Sequence, residues 1–135
     1  MSEKSESLDD LDCDALALAK ASQVAVRRVI RKEYDSLAVE QRGRFKRIME
    51  MWCEGHKLPG SMFNYNEGRT PAEKLMLQAF KAFKIRLYGF CRIVGGVNTF
   101  IIVDIDPAKK QDKADPGILK RAKGRVDEIG KGKGK

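Results

Sequence analysis

The strongest constraint on the fold is a pair of strand-like segments on either side of Gly95 and Gly96. Residues 84 to 92 (KIRLYGFCR) alternate between two sets of side chains, as a strand with two different faces does. Residues 98 to 105 (NTFIIVDI) are rich in β-branched and aromatic residues, which favour strands. Gly-Gly is common in the two-residue turns that join antiparallel strands. The sequence therefore predicts an antiparallel hairpin over residues 84 to 106, at the centre of a sheet.

Helical patterns lie on both sides of this hairpin. Apolar residues between positions 8 and 32 recur at a spacing close to 3.6 residues, which predicts one or two helices there. A further amphipathic helix is predicted to begin at residue 35 or 36 and to end before Gly55. Asp115-Pro116 matches an N-cap followed by proline at the first helical position, so a final helix is predicted to run through Ile129.

Length and charge describe one small basic domain. A chain of 135 residues usually forms a single core, and the net charge is +8 although six acids and only two lysines lie within the first 20 residues. We expect a disordered acidic tail over residues 1 to 8 and a single domain over residues 9 to 129, with a helical extension at 9 to 35. Residues 130 to 135 are expected to form a disordered basic tail. A basic domain attracts polyanions such as nucleic acids, unless its cations only solvate the surface.

Several classes of function lack a sequence signal. No apolar segment approaches the roughly 20 residues that span a bilayer, and the chain begins with no hydrophobic signal region, so we expect a cytoplasmic protein without membrane contact. The three cysteines show no CxxC spacing and are expected to be reduced and buried, so no metal or cofactor is predicted. His56, the only histidine, has no visible catalytic partner.

Lysines and arginines cluster around the predicted strands. Cations beside a groove can position phosphates and stabilise negative charge on a phosphate under attack without a metal. For any one of these residues, the alternative is a solvated surface position without a ligand. The cluster comprises Lys81, Lys84, Arg86, Arg92, Lys109, Lys110 and Lys113.

The order of these segments resembles that of the RelE/ParE superfamily of bacterial toxins, most closely its HigB-like, phage-derived branch. Two helices and a loop are followed by KIRLYGF, a glycine turn, FIIVDI and AKKQDKADPGILKRAKGRV. The resemblance covers residues 36 to 129. The residues that carry it are Arg86 before Tyr88, the pair Lys109-Lys110, Lys113 with Pro116, and Ala122 in the last helix.

The resemblance also implies a fold. It implies an α+β domain in which N-terminal helices pack on a small antiparallel sheet of three to four strands, followed by a C-terminal helix. It places a strand before residues 84 to 92, whereas Thr70, Pro71 and Glu73 match the N-cap, first and third positions of a helix. Tertiary context often overrides local propensity, so we predict a strand over residues 74 to 80.

The function that the resemblance implies is that of a toxin in a toxin-antitoxin module. Such toxins cleave ribosome-bound mRNA, with the RNA 2′-hydroxyl as internal nucleophile, and are covered by a cognate antitoxin protein. Arg86 matches a strand arginine that contacts phosphate, and Lys109 and Lys110 stand where a basic residue stabilises the transition state. These three residues are the predicted catalytic groups. The predicted RNA-binding residues are Lys81, Lys84, Arg92 and Lys113.

Other functions remain open. No Tyr or His follows Tyr88, although many active ribonucleases of the family carry one in the last helix, so a relative that binds RNA without efficient cleavage is one alternative. A second is a non-enzymatic nucleic-acid-binding regulator of phage or mobile-element origin. A third is a ParE-like inhibitor of a DNA topoisomerase that acts through protein contacts.

Overall fold

The secondary structure comes from a computed structural model that describes residues 6 to 20, 22 to 107 and 115 to 133, without the side chains of residues 131 to 133. The strands in these ranges are β1 (Cys13–Ala19), β2 (Ser22–Arg27), β3 (Phe63–Asn64), β4 (Gln78–Ala82), β5 (Ile85–Val94) and β6 (Val97–Asp106). The helices are α1 (Arg31–Asp35), which follows a 3₁₀ turn at Arg28–Ile30, α2 (Val39–Cys53) and α3 (Pro116–Lys133).

The six described strands form one mixed sheet in the order β1-β2-β6-β5-β4-β3. β2 and β6 run parallel, and every other neighbouring pair is antiparallel. The predicted hairpin over residues 84 to 106 is confirmed as β5 and β6, which are the central strands. The predicted small antiparallel sheet of three to four strands is wrong, because β1 and β2 form a further hairpin that adds a parallel pairing to β6.

The residues predicted as a helical extension, 9 to 35, instead contain β1, β2 and short helical turns. Lys20, with φ 52°, lies in the two-residue turn between the paired residues Ala19 and Ser22. Residues 24 to 26 of β2 are all fully buried, because β2 lies between two strands of a sheet that is covered on both faces. Such a strand carries consecutive apolar residues instead of an alternation. Consecutive apolar residues also fit a spacing close to 3.6 residues, so the sequence pattern predicted a helix where the structure has a strand.

Helices cover both faces of the sheet. α2 packs against β1, β2 and β4 and buries Phe45, Ile48 and Met49 in a core shared with those strands. α3 packs against β5 and β6 on the opposite face, where Ala122 and Val126 are fully buried. The molecule therefore has two apolar cores, one on each side of the sheet.

α2 ends where its sequence predicts. Gly55 has φ 92°, a conformation that glycine adopts without steric cost. Its N–H donates to the carbonyl of Trp52 at 3.0 Å, and the N–H of His56 donates to the carbonyl of Met51 at 3.1 Å. These two hydrogen bonds form a Schellman motif, which satisfies carbonyl groups at the end of the helix.

β5 and β6 approach so closely at Gly89 that no side chain fits between them. A Cβ atom on Gly89 would lie 2.2 Å from a carbonyl oxygen of β6. The register shifts at this point, because Tyr88 pairs with Asp104 whereas Gly89 pairs with Ile102. Val103 is the extra residue of this bulge. Val103 packs in the core under α3, and Asp104 accepts hydrogen bonds from α3, so the bulge directs two consecutive residues to the same face.

β4 begins later than the strand predicted over residues 74 to 80. It spans Gln78–Ala82 and pairs with β5 through a two-residue turn at Phe83 and Lys84, which have φ values of 53° and 64°. These values match the type I′ turn that suits the twist of antiparallel strands. The strand prediction is therefore correct in type but shifted towards the C-terminus.

No helix begins at Thr70, because the N–H groups that follow it donate hydrogen bonds to Asp127 and to the Thr70 hydroxyl. The Thr70 hydroxyl accepts the N–H of Leu75 at 2.9 Å. The N–H groups of Ala72 and Glu73 donate to the two carboxylate oxygens of Asp127 in α3, each at 2.9 Å. A contact with α3 therefore satisfies donors that a helix start would leave to a cap.

Both predicted tails are shorter than expected where the structure describes them. The Glu6 carboxylate binds Arg92, and the carbonyl of Leu8 accepts the N–H of Cys13 at 2.9 Å, so residues 6 to 8 belong to the fold. α3 continues to Lys133 instead of ending at Ile129. Residues 1 to 5, 134 and 135 lie outside the described residues.

The close contact at Gly89 gives a testable difference between two glycines. Gly89→Ala should lower the free energy of unfolding by about 1 to 3 kcal/mol, because an overpacked position forces the strands apart. Gly43→Ala is the matched control, since nothing lies within 4 Å of a Cβ there and Gly43 sits inside α2. It should raise stability by about 0.5 to 1 kcal/mol. Urea unfolding of both variants tests this, and equal shifts would contradict the close contact.

Asp127 should stabilise the fold in a pH-dependent way. Burial raises the pKa of Asp127, but hydrogen bonds from Thr70, Ala72 and Glu73 outweigh it and hold that pKa below its usual value. The carboxylate then contributes stability above about pH 4, which is lost as the pH falls through the lowered pKa. Asp127→Asn should cost about 1 kcal/mol at neutral pH.

Urea unfolding at pH 7 and at about pH 2 tests this pH dependence. The difference between wild type and Asp127→Asn should shrink at the lower pH, where a larger fraction of the wild-type carboxyl is protonated. Glu128→Gln changes the neighbouring exposed acid and should have little effect at either pH. A cost of Asp127→Asn that is the same at both pH values would contradict the role of the charged carboxylate.

Candidate functional site

The turn between β4 and β5 brings together three of the predicted cations. Lys81 and Arg86 are paired across the two strands, and Lys84 lies in the turn with its side chain exposed. The three side chains line a cavity of about 250 Å³ together with Ser61 and Phe83. The Lys81 ammonium donates to the carbonyl of Gly60 at 3.1 Å, which limits its movement. Lys81, Lys84 and Arg86 are called the basic turn below.

The Phe83 side chain is exposed between two cavities. Its side chain is 57% exposed, and it lines both the cavity of the basic turn and a second cavity of about 470 Å³. The second cavity also includes Glu33 of α1 and Leu37, which packs against the core under α2. An exposed aromatic ring among cations is an arrangement on which single-stranded nucleic acids stack their bases. Sequence reasoning missed Phe83, although its position between Lys81 and Lys84 was a signal.

Beneath the basic turn, polar side chains are buried on the α3 face of the sheet. Arg86 is 15% exposed, and its Nε lies 3.8 Å from a carboxylate oxygen of Glu67. Asp106 is paired with Arg86 across β5 and β6 and is buried. The Tyr88 hydroxyl is buried and has no hydrogen-bond partner among the described residues. Burial raises the pKa of Tyr88, and the charge of Glu67 raises it further, so this phenol stays protonated.

Asp104 anchors α3 to the sheet next to this group. It is fully buried, and its two oxygens accept hydrogen bonds from Nε and Nη2 of Arg121 at 2.6 and 2.7 Å. Sequence reasoning missed Asp104, Asp106 and Glu67. The first two were detectable in principle, because an acid in an otherwise apolar strand needs a buried partner.

Arg92 does not join the basic turn. It lies near the other end of β5, where its Nε donates to Glu6 at 2.9 Å and its second amino group contacts the other oxygen of the same carboxylate. The third nitrogen donates to the carbonyl of Ile129 at 3.2 Å. The Arg92 side chain is only 8% exposed. While Glu6 stays in place, Arg92 has no open face for a polyanion.

Lys109, Lys110 and Lys113 lie outside the described residues, but both ends of their segment are described. The N–H of Asp115 donates to a carboxylate oxygen of Asp106 at 3.0 Å. Because Asp106 is paired with Arg86, this hydrogen bond places the described residue Asp115 near the basic turn.

His56, the only histidine of the sequence, does not line the cavity of the basic turn. The His56 ring is exposed and lies 3.5 Å from Glu54. Within residues 6 to 20, 22 to 107 and 115 to 133, no group of three or more His, Cys, Asp or Glu side chains could hold a metal ion. No described helix has the length and apolar character needed to cross a membrane.

Comparison with protein-family models, with curated proteins and with solved structures finds no match for this chain. The case for a function therefore rests on the residues and geometry given above.

The contacts of Arg92 predict a structural role for this residue. Arg92→Gln should lower the free energy of unfolding by about 3 kcal/mol, because it leaves the Glu6 carboxylate without its buried partner. Arg44→Gln removes an exposed cation of α2 and serves as the control for stability. Equal, small effects of Arg92→Gln and Arg44→Gln on the free energy of unfolding would contradict the structural role of Arg92.

Proposed function

We propose that this chain binds single-stranded RNA at the basic turn and acts as the toxin-like component of a toxin-antitoxin module, as an mRNA endoribonuclease. The observation that carries the proposal is the convergence of Lys81, Lys84 and Arg86 at one end of the sheet. The exposed ring of Phe83 lies among them and offers a surface on which a base can stack. Cations and an exposed aromatic ring are the two elements that sequence-tolerant RNA binding requires.

For cleavage, the proposal requires the RNA itself to supply the nucleophile. The 2′-hydroxyl gives its proton to water as its oxygen forms a bond to the adjacent phosphorus. The bond from phosphorus to the 5′-oxygen breaks, and that oxygen takes up a proton from water, which leaves a 2′,3′-cyclic phosphate and a 5′-hydroxyl. Negative charge grows on the phosphate oxygens during this step, and a cation held in place stabilises it. Unlike Arg92, Arg86 lines the cavity of the basic turn, and it fits this role because β5 and the nearby Glu67 carboxylate restrict its guanidinium.

A second candidate, RNA binding without cleavage, is favoured by the positions of the described tyrosines and histidine. Tyr34 and Tyr88 are buried, and the Tyr65 hydroxyl accepts the N–H of Leu58 at 3.0 Å. His56 follows α2 and lies beside Glu54. Among the described residues, therefore, no exposed imidazole or phenol stands at the basic turn to transfer a proton.

Binding is tested by fluorescence anisotropy with a short single-stranded RNA across a salt series. Lys84→Gln should weaken binding and reduce the log-log salt slope by about 0.7, the change expected for the loss of one phosphate contact on a single strand. Lys20→Gln is the matched control, because Lys20 is also an exposed lysine with positive φ in a two-residue turn, at the β1–β2 side of the sheet. It should leave affinity and slope nearly unchanged.

The C-terminal lysines provide a second control. Lys131, Lys133 and Lys135 are replaced by glutamine instead of being deleted, because α3 extends to Lys133. If RNA binds at the basic turn, Lys84→Gln should weaken binding more than this triple variant does. If the triple variant abolishes binding while Lys84→Gln stays near wild type, the proposal of an RNA site at the basic turn is wrong.

Cleavage is tested on end-labelled RNA and on translating ribosomes. Arg86→Gln should lower the rate by about 10² or more, the size of effect seen when one group that stabilises transition-state charge is lost. RNA binding without any cleavage by the wild type would support the second candidate. Inhibition of DNA supercoiling without RNA binding would instead support a topoisomerase inhibitor.

A further inference from the structure

A fully buried carboxylate holds two arginines of α3 against the sheet. Asp104 receives two hydrogen bonds from Arg121, at 2.6 and 2.7 Å, and lies 3.4 Å from Nη1 of Arg125. A buried carboxylate is costly unless it is paired and hydrogen-bonded, and these contacts meet both requirements. Asp104 lies on the α3 face because of the bulge opposite Gly89.

The two arginines differ in what remains exposed. Arg125 also donates to the carbonyl of Val103 at 3.0 Å and is mostly buried. Arg121 remains 49% exposed although Asp104 binds it through two nitrogens. A guanidinium has five N–H donors, and two of those of Arg121 bind Asp104. The hydrogen bonds to Asp104 also raise the pKa of Arg121, so its charge is permanent.

Arg121 is placed close to the basic turn by the register of β5 and β6. Its partner Asp104 lies two residues along β6 from Asp106, which is paired with Arg86. Two residues of a strand span about 6.6 Å, so the anchors of Arg121 and Arg86 are neighbours on the same sheet. α3 also begins immediately after Asp115, whose N–H donates to Asp106 at 3.0 Å.

We propose that Arg121, held by Asp104, binds one phosphodiester group of an RNA strand whose neighbouring phosphodiester group is bound at the basic turn. This inference rests on the proposed RNA-binding function and adds a residue to that site. The guanidinium is suited to the task because it presents several donors in one plane and binds phosphate through two of them at once. Asp104 fixes its orientation before RNA arrives, which lowers the entropy lost on binding.

A salt-series binding experiment compares Arg121→Gln with Lys120→Gln in the full chain. Both variants lose one cation at adjacent positions of α3, but Lys120 is exposed and has no hydrogen bond to Asp104. Arg121→Gln should weaken RNA binding by about tenfold, as expected for one charge-assisted contact, and should reduce the salt slope by about 0.7. Lys120→Gln should weaken binding by less than about threefold.

Two further variants separate positioning from charge. Arg121→Lys keeps the charge but cannot bind the carboxylate and a phosphate through a planar fork, so it should bind RNA about as weakly as Arg121→Gln. Asp104→Asn removes the anchor, and in that background Arg121→Gln should cost less than about threefold. Circular dichroism establishes the temperature at which each variant is folded. Arg121→Lys provides the positioning test even if Asp104→Asn does not fold.

The outcomes distinguish this inference from the proposed function. If the wild type binds no RNA, or if Lys84→Gln and Lys20→Gln change RNA affinity equally, the proposed function is wrong. The proposed role of Arg121 is then wrong too, because it depends on RNA binding at the basic turn. If Lys84→Gln shows its expected loss but Arg121→Gln equals Lys120→Gln, only the role of Arg121 is wrong. Wild-type affinity in Arg121→Lys would likewise overturn the role of Asp104 as an anchor that positions Arg121.

Discussion

The contact between β5 and β6 at Gly89 determines which residues face α3. The two strands come so close at Gly89 that only glycine fits there, and the bulge at Val103 turns Asp104 towards the helix. A buried carboxylate then requires cationic partners, and α3 supplies Arg121 and Arg125. The hydrogen bonds from Arg121 to Asp104 then add to the apolar packing of α3 on the sheet through Ala122 and Val126.

The parallel pairing of β2 with β6 is the second organising contact. β2 pairs with the edge of β6 that faces away from β5, and the chain from α1 to β5 forms the connection between these two parallel strands.

The N-terminal segment before β1 crosses the α3 face, where Leu8 and Leu11 pack against the core and Glu6 binds Arg92. An acidic segment that composition alone suggests to be a tail thus completes one of the two cores.

The same segment affects where positive charge remains on the surface. Arg28 forms ion pairs with Asp9, Asp12 and Asp14, and the hydrogen bond from Arg28 lowers the pKa of Asp14. These pairs lie at the β1–β2 side of the sheet, whereas the basic turn lies at the β4–β5 side. Acids therefore offset the charge of Arg28 at the β1–β2 side of the sheet, and the candidate site lies at the opposite side.

Local chemistry in the sequence alone determined the central hairpin, the end of α2 at Gly55 and the start of α3 at Asp115-Pro116, because each depends on residues that are close in the chain. It also identified the cations of the basic turn. Only the tertiary structure decided the rest. Residues 24 to 26 form a strand because both faces of β2 are covered, and Thr70 caps no helix because Asp127 takes the N–H groups. The tertiary structure also pairs Arg92 with Glu6, which covers Arg92, and Arg121 with Asp104, which leaves half of Arg121 exposed. Each of these acids lies outside the local sequence around its arginine, so no local pattern reveals either pair.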